Sequence, residues 1–219
     1  MNYYPVNLDI KNKKCLVVGG GKVGGRKIKT LLKCGAKVSL VSPEISESVL
    51  KIENTDLTIH KRDYKDSDLK GIFIVICATN NEKLNNKISI HAKERNILCN
   101  IADQPEACDF TLPSVVSRGD LIVTVSTGGK SPAFAKSIRK ELDEMFGPEY
   151  ADFLTIMGNI RKKLLNESKN PDSHKDIFEK IIQGSLLEMV KEKRVKDIDK
   201  LLLDILGEGY IFKNLLEVP

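Results

Sequence analysis

The twelve residues from Lys14 to Gly25, K-C-L-V-V-G-G-G-K-V-G-G, restrict the fold more than any other stretch of this chain. Cys15, Leu16, Val17 and Val18 make a short, unbroken apolar run, the pattern of an inner parallel strand covered on both faces. Gly19, Gly21 and Gly24 follow in the G-x-G-x-x-G register. In that register the first glycine makes the tight turn, the second lets a pyrophosphate approach the backbone, and the third lets helix and strand pack closely. Helical spacing then runs from Val23 through Ile28, Leu31 and Leu32, Gly35 ends the helix, and Lys37 to Val41 reads as a second strand. Glycine-rich turns also serve as plain connectors, so it is the βαβ context that makes this one a dinucleotide site. Main-chain N–H groups at Lys22 and Val23, opening the helix, would face the phosphates, with the helix dipole adding a favourable field.

An acidic residue at the end of the second strand ordinarily holds the adenosine ribose. Here the positions read Val41, Ser42, Pro43, Glu44. Ser42 can donate to a ribose hydroxyl, with Pro43 beside it, and Glu44 stands two residues late. No arginine is there to receive a 2′-phosphate, which Glu44 would repel, so NAD is expected over NADP.

A chain of 219 residues suits a nucleotide domain plus a smaller second unit, and a hydrophobic content of 41% provides a packed core. The net charge of +5 is well short of a dedicated nucleic-acid binder and points mildly to anionic ligands. Five cysteines, at 15, 34, 77, 99 and 108, form no C-x-x-C pair, so neither a disulfide framework nor a zinc knuckle is expected. The longest apolar run, Ile72 to Ala78, is too short for a bilayer, and no signal-peptide layout opens the chain. A cytoplasmic protein with no membrane or nucleic-acid partner is expected.

Along the chain, Val6, Leu8 and Ile10 alternate, predicting a short strand over Pro5 to Ile10. After the second strand come a helix over Glu44 to Ile52, a strand over Leu57 to Lys61, a turn at Asp66 to Lys70 and a strand over Gly71 to Cys77. Ala78 and Thr79 follow at the carboxyl end of that strand, where open α/β sheets present ligands. Asn80 or Asn81 caps a helix from Glu82 to Arg95. Ile97 to Ile101 forms a fifth strand and delivers Asp103 to the same edge, the best candidate for chemistry. Thr111 to Ser117 and Leu121 to Ser126 then read as a hairpin, so the parallel winding ends here. Ser126 to Pro132 is a second glycine turn. It is no P-loop, because Thr124 stands where that motif needs glycine. Ser131 as N-cap and Pro132 at the first helical position start a helix to about Phe146. The remainder is helical, with core stripes at Phe153, Met157, Ile160 and Leu164, at Ile177, Phe178, Ile181 and Ile182, and at Ile198, Leu201, Leu202 and Ile205. The expected division is a Rossmann-type domain over 1–112, a small α+β dimerisation region over 113–146 and a helical domain over 147–219.

Four segments together resemble the precorrin-2 dehydrogenases of siroheme synthesis: P-V-N-L-D-I-K-N-K-K-C-L-V-V-G-G-G-K-V-G-G-R-K; I-C-A-T-N; C-N-I-A-D-Q-P-E-A-C-D-F-T-L-P-S-V-V-S-R-G-D-L; and V-S-T-G-G-K-S-P-A-F-A-K-S-I-R-K-E-L. They run in order from Pro5 to Leu142. The resemblance implies NAD-dependent oxidation of precorrin-2 to sirohydrochlorin in a homodimer built partly through the hairpin segment. It also implies, for some members, iron insertion into sirohydrochlorin. The family's catalytic aspartate falls on Asp103, and a serine phosphorylated in some fused members falls on Thr127. The methyltransferase of the longer members has no counterpart in these residues.

The residues support the same chemistry. Aromatising a reduced tetrapyrrole sends a hydride to nicotinamide and a proton to a base, for which Asp103 is the best placed, ahead of Asp109 and Glu106. The substrate's carboxylates could pair with Arg118, Lys130, Lys136, Arg139 and Lys140, with Thr127 nearby in sequence; solvent-facing charge is the competing account of each. Two other classes compete: a non-catalytic dinucleotide sensor, and a metal chelatase, for which His60, His91 and His174 offer no ligand spacing.

Overall fold

β1 (Lys14–Gly20) is the central strand of a five-stranded parallel sheet of order β3-β2-β1-β4-β5. The computed structural model containing it describes residues 3–102, 104–167 and 171–217. From β1 the chain passes through α1 (Lys22–Lys33) to β2 (Lys37–Ile45), then α2 (Glu47–Leu50) and β3 (Leu57–His60). It then returns across the sheet to β4 (Ile74–Cys77), α3 (Glu82–Glu94) and β5 (Leu98–Ile101). The winding reverses between β1 and β4, the crevice in which doubly wound sheets bind ligands.

Alternation along the strands sends side chains into two cores. Cys15, Val17, Val38, Leu40, Ile74 and Ile76 pack with Ile28 and Leu31 of α1 and Val49 of α2. Leu16, Val18, Val41, Val75, Cys77, Cys99 and Ile101 pack on the other face with Ile88 and Ala92 of α3. Each fully buried Ile or Leu contributes roughly 1.5–3 kcal/mol against exposure. The buried thiols of Cys15, Cys77 and Cys99 act as small core side chains; burial pushes Cys15 up to about 11, away from thiolate chemistry.

Two local expectations change. Pro5 to Ile10 forms no strand: only Ile10 reaches the core, while Tyr4, Val6 and Leu8 stay exposed. A period-2 pattern needs a sheet edge to pair with, and this segment has none among the described residues. The helix expected from Glu44 begins at Glu47, because β2 runs on to Ile45. Pairing shifts from Val18↔Val41 to Gly20↔Ile45, so β2 carries two more residues than β1 over that step. Pro43 sits in this bulge, where a missing N–H costs no ladder bond.

The chain divides into two compact units, Met1–Leu112 and Pro113–Pro219, so the segments 113–146 and 147–219 fall in one unit. The second unit starts with an antiparallel hairpin, β6 (Ser114–Arg118) and β7 (Leu121–Val125). It turns at Gly119, φ 58°, and Asp120. α4 (Pro132–Met145) lies against both strands and buries Val116 and Ala135. α5 (Glu149–Glu167), α6 (Pro171–Gln183), α7 (Leu186–Lys191), α8 (Val195–Leu206) and α9 (Phe212–Leu216) enclose a separate core of Ile156, Ile160, Ile181, Leu186, Ile198 and Leu202. Among the described residues no helix is long and apolar enough to cross a membrane.

Candidate dinucleotide site

The glycines of the β1–α1 turn occupy three different physical situations. Gly19 has φ 113°, and a Cβ there would overlap the carbonyl of Ala78, the first residue past β4. A Cβ on Gly24 would overlap the Gly19 carbonyl, so this glycine lets α1 close on β1. A Cβ on Gly20, which the motif does not require, would stand 2.5 Å from the Glu44 carbonyl, and one on Gly25 would press on Val49. Gly21 differs from all of these. Its φ is −77°, open to any residue, and nothing lies within 4 Å of a Cβ placed on it. Neither backbone strain nor internal packing accounts for a glycine there; free space beside the main chain does.

That space adjoins the start of α1. Gly21 is its N-cap without a side chain to supply an acceptor, and no acidic residue stands in the first turn. The N–H groups of Lys22, Val23 and Gly24 have no acceptor within the helix, and the positive end of the dipole lies there. Lys22 is exposed and Val23 half-buried. An anionic dinucleotide phosphate fits this turn on charge, donors and room.

Two further elements border the turn. At the end of β2, Ser42 is buried and its hydroxyl donates to the Glu44 carbonyl at 2.6 Å, which leaves only oxygen lone pairs for a ligand. Pro43 and Glu44 are exposed. At the end of β4, Ala78 and Thr79 are half-buried, and Thr79 Oγ1 donates to Asn85 Oδ1 at 2.7 Å. Gly19, Gly24, Ser42, Ala78 and Thr79 are thereby gathered at the carboxyl ends of β1, β2 and β4.

Asp103 lies outside the described residues. Its neighbour Ala102 continues the sheet by donating to the Cys77 carbonyl at 2.9 Å. Beyond it, the chain doubles back along the free edge of β5. Asp109 accepts from Cys99 N at 2.8 Å and donates its own N–H to Cys99 O at 3.0 Å. Cys108 Sγ accepts from Ile101 N at 3.1 Å, and Asn100 Nδ2 donates to Phe110 O at 2.9 Å. Asp109, a reserve base by sequence, thus holds a strand edge; Glu106 is exposed.

In the second unit the basic residues are not equivalent. Arg118 donates to the Asp143 carboxylate at 2.8 Å, to the Asp143 carbonyl at 2.9 Å and to the Ser117 carbonyl at 3.0 Å. Arg139 lies 3.5 Å from the same carboxylate. The Arg118 hydrogen bond, with both positive charges, holds the Asp143 carboxyl below the usual range. Lys130 and Lys136 are exposed and stand outside this set. Thr127 Oγ1 accepts from Ser131 N at 3.2 Å, and Ser131 caps α4 by accepting from Phe134 N. No group of three His, Cys, Asp or Glu side chains is arranged to hold a metal among the described residues.

Sequence reasoning missed Asn85 and the Asn100–Cys108–Asp109 edge. For Asn85 the signal was a polar residue at the 85, 88, 92 positions of an otherwise apolar helix stripe. For the edge there was none, since strand order decides which strand lies outermost.

The sheet order, the switch point and the open glycine turn define a dinucleotide-binding α/β protein. Comparison with known proteins narrows this. A family model described as "Putative NAD(P)-binding" matches residues 6–114, and one described as "Sirohaem biosynthesis protein central" matches residues 118–145. The siroheme synthase of Vesicomyosocius okutanii is 34% identical over 198 residues, 90% of this chain and 42% of that protein. That of Photobacterium profundum is 32% identical over 94% of this chain and 44% of its own length. The chain therefore spans about two fifths of these curated relatives. Among solved structures, the precorrin-2 dehydrogenase SirC superposes with a TM-score of 0.74 at 27% identity, covering 93% of this chain and 98% of that one. Over nearly its whole length the chain is similar to siroheme synthases and to a precorrin-2 dehydrogenase, and its first unit matches the NAD(P)-binding model, a match that does not separate NAD from NADP.

Proposed function

We propose that this chain oxidises precorrin-2 to sirohydrochlorin with NAD as the hydride acceptor. The observation that carries the reading is the unfilled space beside Gly21 at the switch point of the sheet, in a chain that parallels SirC over nearly its whole length. When bound, the nicotinamide supplies the position to which a hydride can pass. The chain's own residues do the rest. Gly21 leaves room for the pyrophosphate in a turn that Gly19 and Gly24 allow to close, Lys22 and Val23 offer main-chain donors, Ser42 and Pro43 border the ribose, and Ala78 and Thr79 wall the far side. Asp103 takes the proton, so that one hydride and one proton leave the substrate and the two-electron oxidation balances.

NAD is favoured over NADP because Glu44 is exposed just past the bulge, with no basic residue between Val41 and Glu53 except Lys51. In the second unit, Lys130 and Lys136 hold substrate carboxylates, with Thr127 shaping the turn before them; Arg118 and Arg139 would have to give up Asp143 to join. The hairpin region over 113–146 supports a homodimer: Val115 and Ile122 lie on its exposed face. A monomer in sedimentation at micromolar concentration would remove that part. The reaction is tested by mixing purified protein, precorrin-2 and NAD anaerobically, then offering the sirohydrochlorin ferrous or cobalt ion in a second step. Sirohydrochlorin and NADH forming in equal amounts is expected. No NAD-dependent sirohydrochlorin would contradict the proposal, and equal turnover with NADP at low concentration would contradict the cofactor preference.

A further inference from the structure

We infer that Asn85, on α3, is the positioning residue for the wall that Ala78 and Thr79 give the dinucleotide site. The inference rests on the dinucleotide reading above. Asn85 is 4% exposed, an uncharged polar side chain on the buried stripe of its helix. It makes a reciprocal pair with one residue: Thr79 Oγ1 donates to its Oδ1 at 2.7 Å, and its Nδ2 donates to the Thr79 carbonyl at 3.0 Å. Thr79 Oγ1 in turn accepts from Asn81 N at 3.1 Å, and the Asn81 side chain caps α3 by accepting from Leu84 N. Side chain and main chain of Thr79 are both fixed by this ring. Its single hydroxyl proton is shared between Asn85 Oδ1 at 2.7 Å and the more distant Asn81 carbonyl at 3.3 Å, so Thr79 shapes the site and does not donate to a ligand through that group.

The residue just before Thr79 connects the ring to the glycine turn. Ala78 donates to Val18 O at 2.8 Å, and its own carbonyl occupies the place where any side chain on Gly19 would stand. The glycine turn is therefore built against the turn that Asn85 holds. If Asn85 loses its pair, the Thr79 carbonyl loses its partner and its hydroxyl the Asn85 acceptor, and the wall can shift relative to the phosphate-binding turn. A helix cap alone would not require this arrangement, since Asn81 already caps α3.

The experiment compares Asn85→Leu, Thr79→Val and Thr79→Ser in the full chain. NAD and NADP titrations give dissociation constants, and the melting temperature without nucleotide gives the purely structural effect. The expected result is a loss of roughly tenfold or more in NAD affinity for Asn85→Leu and Thr79→Val, the scale of one broken buried pair. Thr79→Ser, which keeps the hydroxyl, should recover most of it. Folded Asn85→Leu and Thr79→Val variants with unchanged affinity and lowered melting temperature would reduce the ring to a stabilising contact and overturn the inference. Should Asn85→Leu fail to fold, the Thr79→Val and Thr79→Ser pair decides. Wild-type protein binding neither nucleotide would overturn the reading of the site and this inference with it.

Discussion

The glycine turn after β1 and the basic residues around α4 are equally suggestive in sequence, yet they fare differently in three dimensions. At the turn, Gly19 and Gly24 are fixed by overlap with neighbouring carbonyls, and Gly21 alone of the three faces open space. Near α4, two of the expected substrate cations, Arg118 and Arg139, converge on Asp143. A missing side chain has one meaning once the backbone is placed. A charged side chain has several, because long flexible groups pair with whatever the fold brings near.

The largest effect expected is on catalysis. Asp103→Asn should fold, bind NAD and sediment as wild type while losing on the order of a hundredfold or more in rate. Near-normal turnover would leave Glu106 as the next candidate, since Asp109 is engaged with β5. Next comes the contrast within the turn. Gly24→Ala should destabilise the first unit by about 2 kcal/mol, because the Gly19 carbonyl it meets is backbone and cannot swing aside, lowering its melting temperature by roughly 8 °C or more. A variant melting like wild type would show that α1 can lift off β1 freely.

Smaller effects separate the cations. Lys130→Ala and Lys136→Ala should each raise KM for precorrin-2 about three- to tenfold, the scale of one charge-assisted contact. Arg118→Ala should act mainly on melting temperature, and a larger KM change there would show that the arginine leaves Asp143 for substrate. The smallest effect is on acid stability. Asp143 is held below its unfolded value, so its contribution is present above about pH 4 and is lost as pH falls through the folded value. Asp143→Asn should flatten the acid limb of the melting curve below about pH 4 and leave neutral pH almost unchanged in slope.

The sheet was legible because its strands are continuous β-branched runs separated by helical stripes, a pattern local to each element. Val17 and Val18 needed no tertiary knowledge to be assigned. The end of β2 was not legible, because the bulge at Ser42 to Glu44 is set by pairing with Gly20, a residue more than twenty positions earlier. Val6 and Leu8 failed for the same reason in reverse: alternation was present and a partner strand was not. Asn85 was hidden as a polar residue in an apolar stripe, and its meaning depended on Thr79 coming round to meet it.

If the space beside Gly21 is kept for the dinucleotide, calorimetric titration of NAD will separate wild type from Gly21→Asp. Because nothing lies within 4 Å of a Cβ there, the variant should melt within a few degrees of wild type. A side chain and a negative charge beside the phosphate donors should nonetheless weaken NAD binding by roughly a hundredfold or more. A well-folded Gly21→Asp protein that binds NAD as tightly as wild type would place the dinucleotide elsewhere than at this turn.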